Sequence, residues 1–175
     1  SSNILNIFSR SIIPFRFVFL IWLFFAAEHV YGYTLHNFGI LPRNIYGLIG
    51  IVTAPFLHLN FTHIVSNTIP LLLLGSVLFY FYYNQARKVF YLGFFIPNIL
   101  VWIFGRHLMH IGASGIVYTL ASFLVVFGML RRDYVSLMIA LAVAIIYGGL
   151  FLSLFRHSES ISVEMHIAGI LTGVT

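Results

Sequence analysis

Apolar residues fill this chain in long blocks, and short polar stretches punctuate them. The blocks cover about 12–31, 61–82, 89–105, 114–130, 134–155 and 163–175. A helix needs roughly 20 apolar residues to cross a bilayer, so the pattern predicts six membrane spans. The sixth runs to the last residue and reads as truncated. Pro70 lies inside the second block and Pro97-Asn98 inside the third, where a kink or local break is expected. Gly148-Gly149 loosens the fifth. Gln85-Ala86-Arg87-Lys88 and Arg131-Arg132-Asp133 read as short polar turns, 106–111 as a loop and 156–162 as a polar connection. The segment 32–60 carries Leu, Ile, Phe and Tyr throughout, so it is expected to lie in the interface or against the bundle. Residues 1–11 read as a surface segment, and no internal repeat stands out.

Composition agrees with the blocks. Apolar residues make up 61% of the 175 residues and charged residues 7%, against about 25% charged in a soluble domain. The reading is an all-α integral membrane protein of one domain, residues 1–175, trimmed from a longer chain. There is no cysteine, which excludes disulfides, zinc–thiolate sites and cysteine catalysis. The formal charge of +5 is too small for a nucleic-acid surface and is read through the loops instead. With alternating spans, Arg10, Arg16, Arg87, Lys88, Arg131 and Arg132 fall on one side, and Arg43, Arg106 and Arg156 on the other. The excess places the N-terminus in the cytoplasm.

Spans two, four and six then all begin on the non-cytoplasmic side, and each carries polar residues near its start: His63 and Asn67, Ser114, and His166. Polar groups within a bilayer are costly and face the bundle interior or a water-filled cavity. Four at similar depth point to one site. His63 and Asn67 share a helix face, as do Ser114 and Tyr118. His166 is followed by Gly169 and Gly173, a small-residue face that lets helices approach closely, which could bring His166 to Ser114. Ser114 itself lies between Gly112 and Gly115 at a helix entrance, where free N–H groups and the positive dipole end favour an anion. A nucleophile, a base and an anion site are the requirements of acyl transfer. Each feature alone has a plainer explanation: a serine bonded back to its own helix, a satisfied core histidine, or generic glycine packing.

The combination resembles the rhomboid intramembrane serine proteases. The resemblance rests on His58-Leu-Asn-Phe-Thr-His63-Ile-Val-Ser-Asn67, Gly112-Ala113-Ser114-Gly115 and Glu164-Met165-His166-Ile167-Ala168-Gly169, in that order, and it covers essentially the whole chain. Leu41-Pro42-Arg43 and Pro55-Phe56-Leu57-His58 look like a bacterial-type branch, hence a bacterial inner membrane. The resemblance implies a six-helix rhomboid-like bundle, Ser114 as nucleophile, His166 as its general base, His63 and Asn67 as oxyanion donors, and Tyr118 packed against the catalytic histidine. Two positions depart from the family pattern. Ile49-Gly50 stands where many relatives have Trp-Arg, and Phe79 where many have glutamate. Both familiar groups are implied to support loop and helix structure.

The expected activity is endoproteolysis of transmembrane segments of other membrane proteins, within the bilayer. It calls for no metal and no cofactor, and nothing in the sequence sets an oligomeric state. An inactive rhomboid-like protein that binds membrane clients is one alternative. A histidine-lined transporter is the other; His107 with His110, and His58 with His63, are its candidate ligands, poor ones without carboxylates nearby. For His107 and His110 a polar loop at the membrane surface is the preferred reading.

Overall fold

The computed structural model describes residues 12–152 and 162–175. Arg10 and Arg156, two of the charges used to orient the chain, lie outside the described residues, as does the segment 1–11. Six main helices are described: α1 Ile12–Tyr31, α2 Phe61–Phe81, α3 Tyr83–Phe104, α4 Ser114–Arg131, α5 Tyr134–Leu152 and α6 Val163–Val174. The first four are long and apolar enough to cross a membrane; the other two are shorter apolar helices over their described residues. Helix α2 runs unbroken through Pro70 and α3 through Pro97.

Helix α4 forms the centre. Every residue from Gly115 to Ser122 is buried, as expected of a helix surrounded by others rather than amphipathic. It packs against α2, α3, α5 and α6, and most extensively against α6. Ile64, Leu71, Leu74 and Leu78 of α2 meet Ile116, Leu120 and Leu124 of α4 in the main core, with Ile21 of α1. Phe79 is fully buried there, so the place of the missing glutamate is filled by an apolar ring. Phe19, Leu23, Leu73, Leu141 and Ile145 are exposed, as side chains turned toward lipid would be.

The segment 85–88 is not a turn. Helix α3 begins at Tyr83, and a single residue, Tyr82 at φ −127°, ψ 44°, separates it from α2. Gln, Ala, Arg and Lys are all strong helix formers. Ala86 is fully buried while Arg87 and Lys88 are exposed, so polarity here marks the outer face of a helical turn. Arg131-Arg132-Asp133 does make a turn. Arg132 adopts φ 60° and ends α4, and Asp133 accepts from the Ser136 N–H at 3.0 Å at the start of α5.

The segment between α1 and α2 folds into short helical turns at Leu35–Phe38, Ile45–Leu48, Gly50–Thr53 and Ala54–Phe56. It is fastened to α3 and to the loop after it. The Arg43 N–H donates to the Trp102 carbonyl at 2.9 Å, and the Arg43 guanidinium to the Gly105 carbonyl at 2.8 Å. The Trp102 indole donates to the Asn44 carbonyl at 3.0 Å, and the Asn98 amide to the Ile51 carbonyl at 3.0 Å. An arginine and a tryptophan thus hold this loop although Ile49-Gly50 replaces the adjacent pair.

Candidate active site

A cleft of about 420 Å³ opens at the starts of α2, α4 and α6, lined by His63, Asn67, Ser114, Tyr118 and His166 among others. Helix α2 begins where the Asn60 side chain accepts from the His63 N–H at 2.8 Å. This cap fixes His63 in the first turn and Asn67 one turn further in. The Leu59 N–H donates to His63 Nδ1 at 3.3 Å, so a neutral His63 carries its proton on Nε2. That nitrogen lies against Gly112. A Cβ on Gly112 would stand 2.7 Å from it, and Gly112 has φ +112°, so shape and backbone both require glycine. Asn67 is buried and donates from Nδ2 to the His63 carbonyl at 3.1 Å. A side-chain amide has two N–H groups, which leaves one for a ligand.

Ser114 is the first residue of α4, half-buried at the cleft. The turn before it is anchored by the Gly112 N–H, which donates to the Ala54 carbonyl at 2.9 Å. His166 lies on α6 with its ring stacked on Tyr118, centroids 4.1 Å apart and planes 17° apart. Its Nδ1 is buried and has no hydrogen-bond partner among the described residues. Glu164 is turned away and forms an ion pair with Arg106.

The α4–α6 contact is close enough to hold these groups in place. A Cβ on Gly169 would stand 2.6 Å from the Gly115 carbonyl oxygen and 2.8 Å from Tyr118 Cβ, and one on Gly173 would overlap Ser122 and the Thr119 carbonyl. Gly115 faces Met165 and Pro97 instead, so it and Gly173 pack helices rather than line the cleft. The Thr119 hydroxyl donates to the Gly115 carbonyl at 2.8 Å and the Gly169 carbonyl at 3.1 Å, joining both helices deep in the bundle.

The other histidines divide. His58, in the loop before α2, is buried and meets the His63 ring edge-on at 4.9 Å. Burial, aided by the charge of His63, pushes its pKa from 6.5 to about 3, so His58 stays neutral at any ordinary pH. His107 is exposed. His110 does not fit the surface-loop expectation: it is buried, with one ring nitrogen against Ser162 and the other against the Arg106 carbonyl. The sequence reading missed this pair. The only available signal was a polar residue placed directly before the glycine–serine turn. Among the described residues no three His, Asp or Glu side chains are grouped to hold a metal.

The rhomboid-domain family model matches residues 46–175. The chain belongs to the rhomboid family. Its matches among curated proteins include uncharacterized proteins of Mycobacterium tuberculosis H37Rv and Mycobacterium bovis. Each is 31% identical over 167 residues, covering 90% of this chain and 70% of the relative. One from Mycobacterium leprae is 30% identical over 178 residues, covering 90% and 66%. As a rhomboid with four helices able to span a bilayer among its described residues, the protein is a multi-pass integral membrane protein that acts in lipid. The matched region of this rhomboid takes in α2, α4 and α6, and so every residue named at the cleft.

Proposed function

We propose that this rhomboid is an intramembrane serine endopeptidase that cuts transmembrane segments of other membrane proteins with a Ser114–His166 dyad. The observation that carries the reading is the shared cleft: Ser114 and a Tyr118-stacked His166 line it together with His63 and Asn67 from a third helix. His166 accepts the Ser114 proton as Oγ attacks the peptide carbonyl. The new oxyanion is held by the Ser114 N–H, the second Asn67 N–H and His63 Nε2–H. His166 then gives its proton to the leaving amine, and water, activated by the same imidazole, releases the acyl group and restores Ser114. His166 Nδ1 has no hydrogen-bond partner among the described residues, which supports a base without a carboxylate behind it, steadied by the Tyr118 ring. A client bound but not cut would need neither a serine nor a histidine here, which weighs against the inactive alternative.

The reading extends to the whole chain as a single domain of six spans in a bacterial inner membrane. A substrate helix must unwind locally to expose its peptide bond, which Gly or Pro in that helix would favour. The test is labelling by a serine-directed fluorophosphonate together with cleavage of single-span reporter proteins in lipid vesicles. Ser114→Ala and His166→Ala should each fall to background while keeping the fold. The double variant should be no worse, because the two groups act as a unit. A wild-type protein that takes no label and cuts no reporter would end this reading. Label retained in Ser114→Ala would move the nucleophile elsewhere.

A further inference from the structure

The loop between α3 and α4 carries a histidine that the dyad chemistry does not use. His110 is 3% exposed, and both ring nitrogens are engaged. Nε2 lies 3.0 Å from the Arg106 carbonyl and Nδ1 2.7 Å from the Ser162 hydroxyl. A carbonyl only accepts, so the neutral ring carries its proton on Nε2, and Nδ1 accepts from Ser162. Neither nitrogen remains for a substrate.

The two ends of this contact belong to opposite halves of the site. The His110 backbone is locked to Ile40 by a reciprocal pair of 2.9 Å bonds, and the chain then runs through Gly112 to Ser114. Ser162 caps α6. Its hydroxyl accepts from the Met165 N–H at 3.3 Å, and its carbonyl accepts from the Met165 and His166 N–H groups at 3.1 and 3.3 Å. One hydrogen bond therefore joins the loop that ends in the serine to the turn that opens the helix of the histidine. The Arg106–Glu164 ion pair closes the same seam. At 1.5 Å rise per residue, His166 stands only ~6 Å along the axis from Ser162, so a shift of the cap is passed on to the imidazole.

We propose that His110 is a positioning residue: through Ser162 it sets the height and rotation of α6, and hence of His166, relative to Ser114. This rests on the dyad reading and deepens it.

The experiment is saturable fluorophosphonate labelling of the full chain in lipid vesicles, with thermal midpoints measured in parallel. His110→Leu should lower the maximal labelling rate by about 10- to 100-fold, the scale of a misplacement near 1 Å, with the half-saturating concentration little changed. His110→Asn, which keeps an acceptor near the Nδ1 position, should recover most of the rate. Ser162→Ala, which also removes the hydroxyl cap on the Met165 N–H, should lose at least as much, and the His110→Leu/Ser162→Ala pair should be no slower than Ser162→Ala alone, since the shared contact is already gone. Losses that multiply, an Asn variant as slow as Leu, or a folded Ser162→Ala protein labelling at the wild-type rate would overturn the proposal. The Asn and Ala variants decide the matter if His110→Leu does not fold. Wild type that fails to label overturns the dyad reading and this proposal with it. Wild type that labels beside unaffected variants overturns this proposal alone.

Discussion

Asn67 shows what a single side chain is asked to do. One of its amide hydrogens goes to the His63 carbonyl, and the other is available at the cleft. If that group donates to the tetrahedral oxygen, it is worth more in the transition state than in the bound substrate. Removing an oxyanion donor costs roughly 2.7–4 kcal/mol in a fully formed hole. His63 and the Ser114 N–H remain, so Asn67→Ala should lower kcat by about 10- to 100-fold and leave KM nearly unchanged. Steady-state cleavage of a single-span reporter checks this, and a raised KM with intact kcat would make Asn67 a substrate-binding residue. The candidates on α2, α4 and α6 could be read from sequence because polar groups are expensive in a bilayer and these stand at the starts of three apolar helices. His110 could not. Its partner is 52 residues away, and the contact depends on how two loops fold, which leaves no periodic trace.

Among the elements, α6 depends on its neighbour. The Gly169 backbone sits against α4 with no room for a side chain, and α4 offers the Gly115 carbonyl and the Tyr118 Cβ there rather than a flexible tip. Gly169→Val should push α6 outward by an ångström or more and reduce cleavage on the order of 100-fold. Activity at the wild-type level in the folded variant would show that the contact tolerates bulk. The glycine spacing was readable because the face repeats every four residues. The start of α3 was misread because Gln85, Arg87 and Lys88 mark the ends of apolar blocks in any hydropathy reading. The buried Ala86 between them marks an amphipathic helical turn, which shares its polarity with a true polar break.

For the whole molecule, the six-span reading places the loop after α1 and the turn after α4 on opposite sides of the membrane. Single cysteines at Asn37 and Arg132, both exposed, should therefore differ in labelling by an impermeant thiol reagent added outside intact cells, Asn37 reacting and Arg132 not. The chain has no cysteine of its own, so the background is clean. Equal labelling of both would refute the orientation. The fastening of the first loop to α3 also bears on how the protein is made. Its bonds span 47 residues from Ile51 to Asn98, 58 from Asn44 to Trp102 and 62 from Arg43 to Gly105. At a synthesis rate of ~5–20 residues per second, roughly 2–12 s pass between emergence of the two sides of such a pair. Until then the carbonyls of Asn44 and Ile51 and the Arg43 guanidinium lack these partners. Fastening of the first loop therefore awaits α3, and the cleft itself, built on the starts of α2, α4 and α6, is complete only when the helices after α3 have joined it.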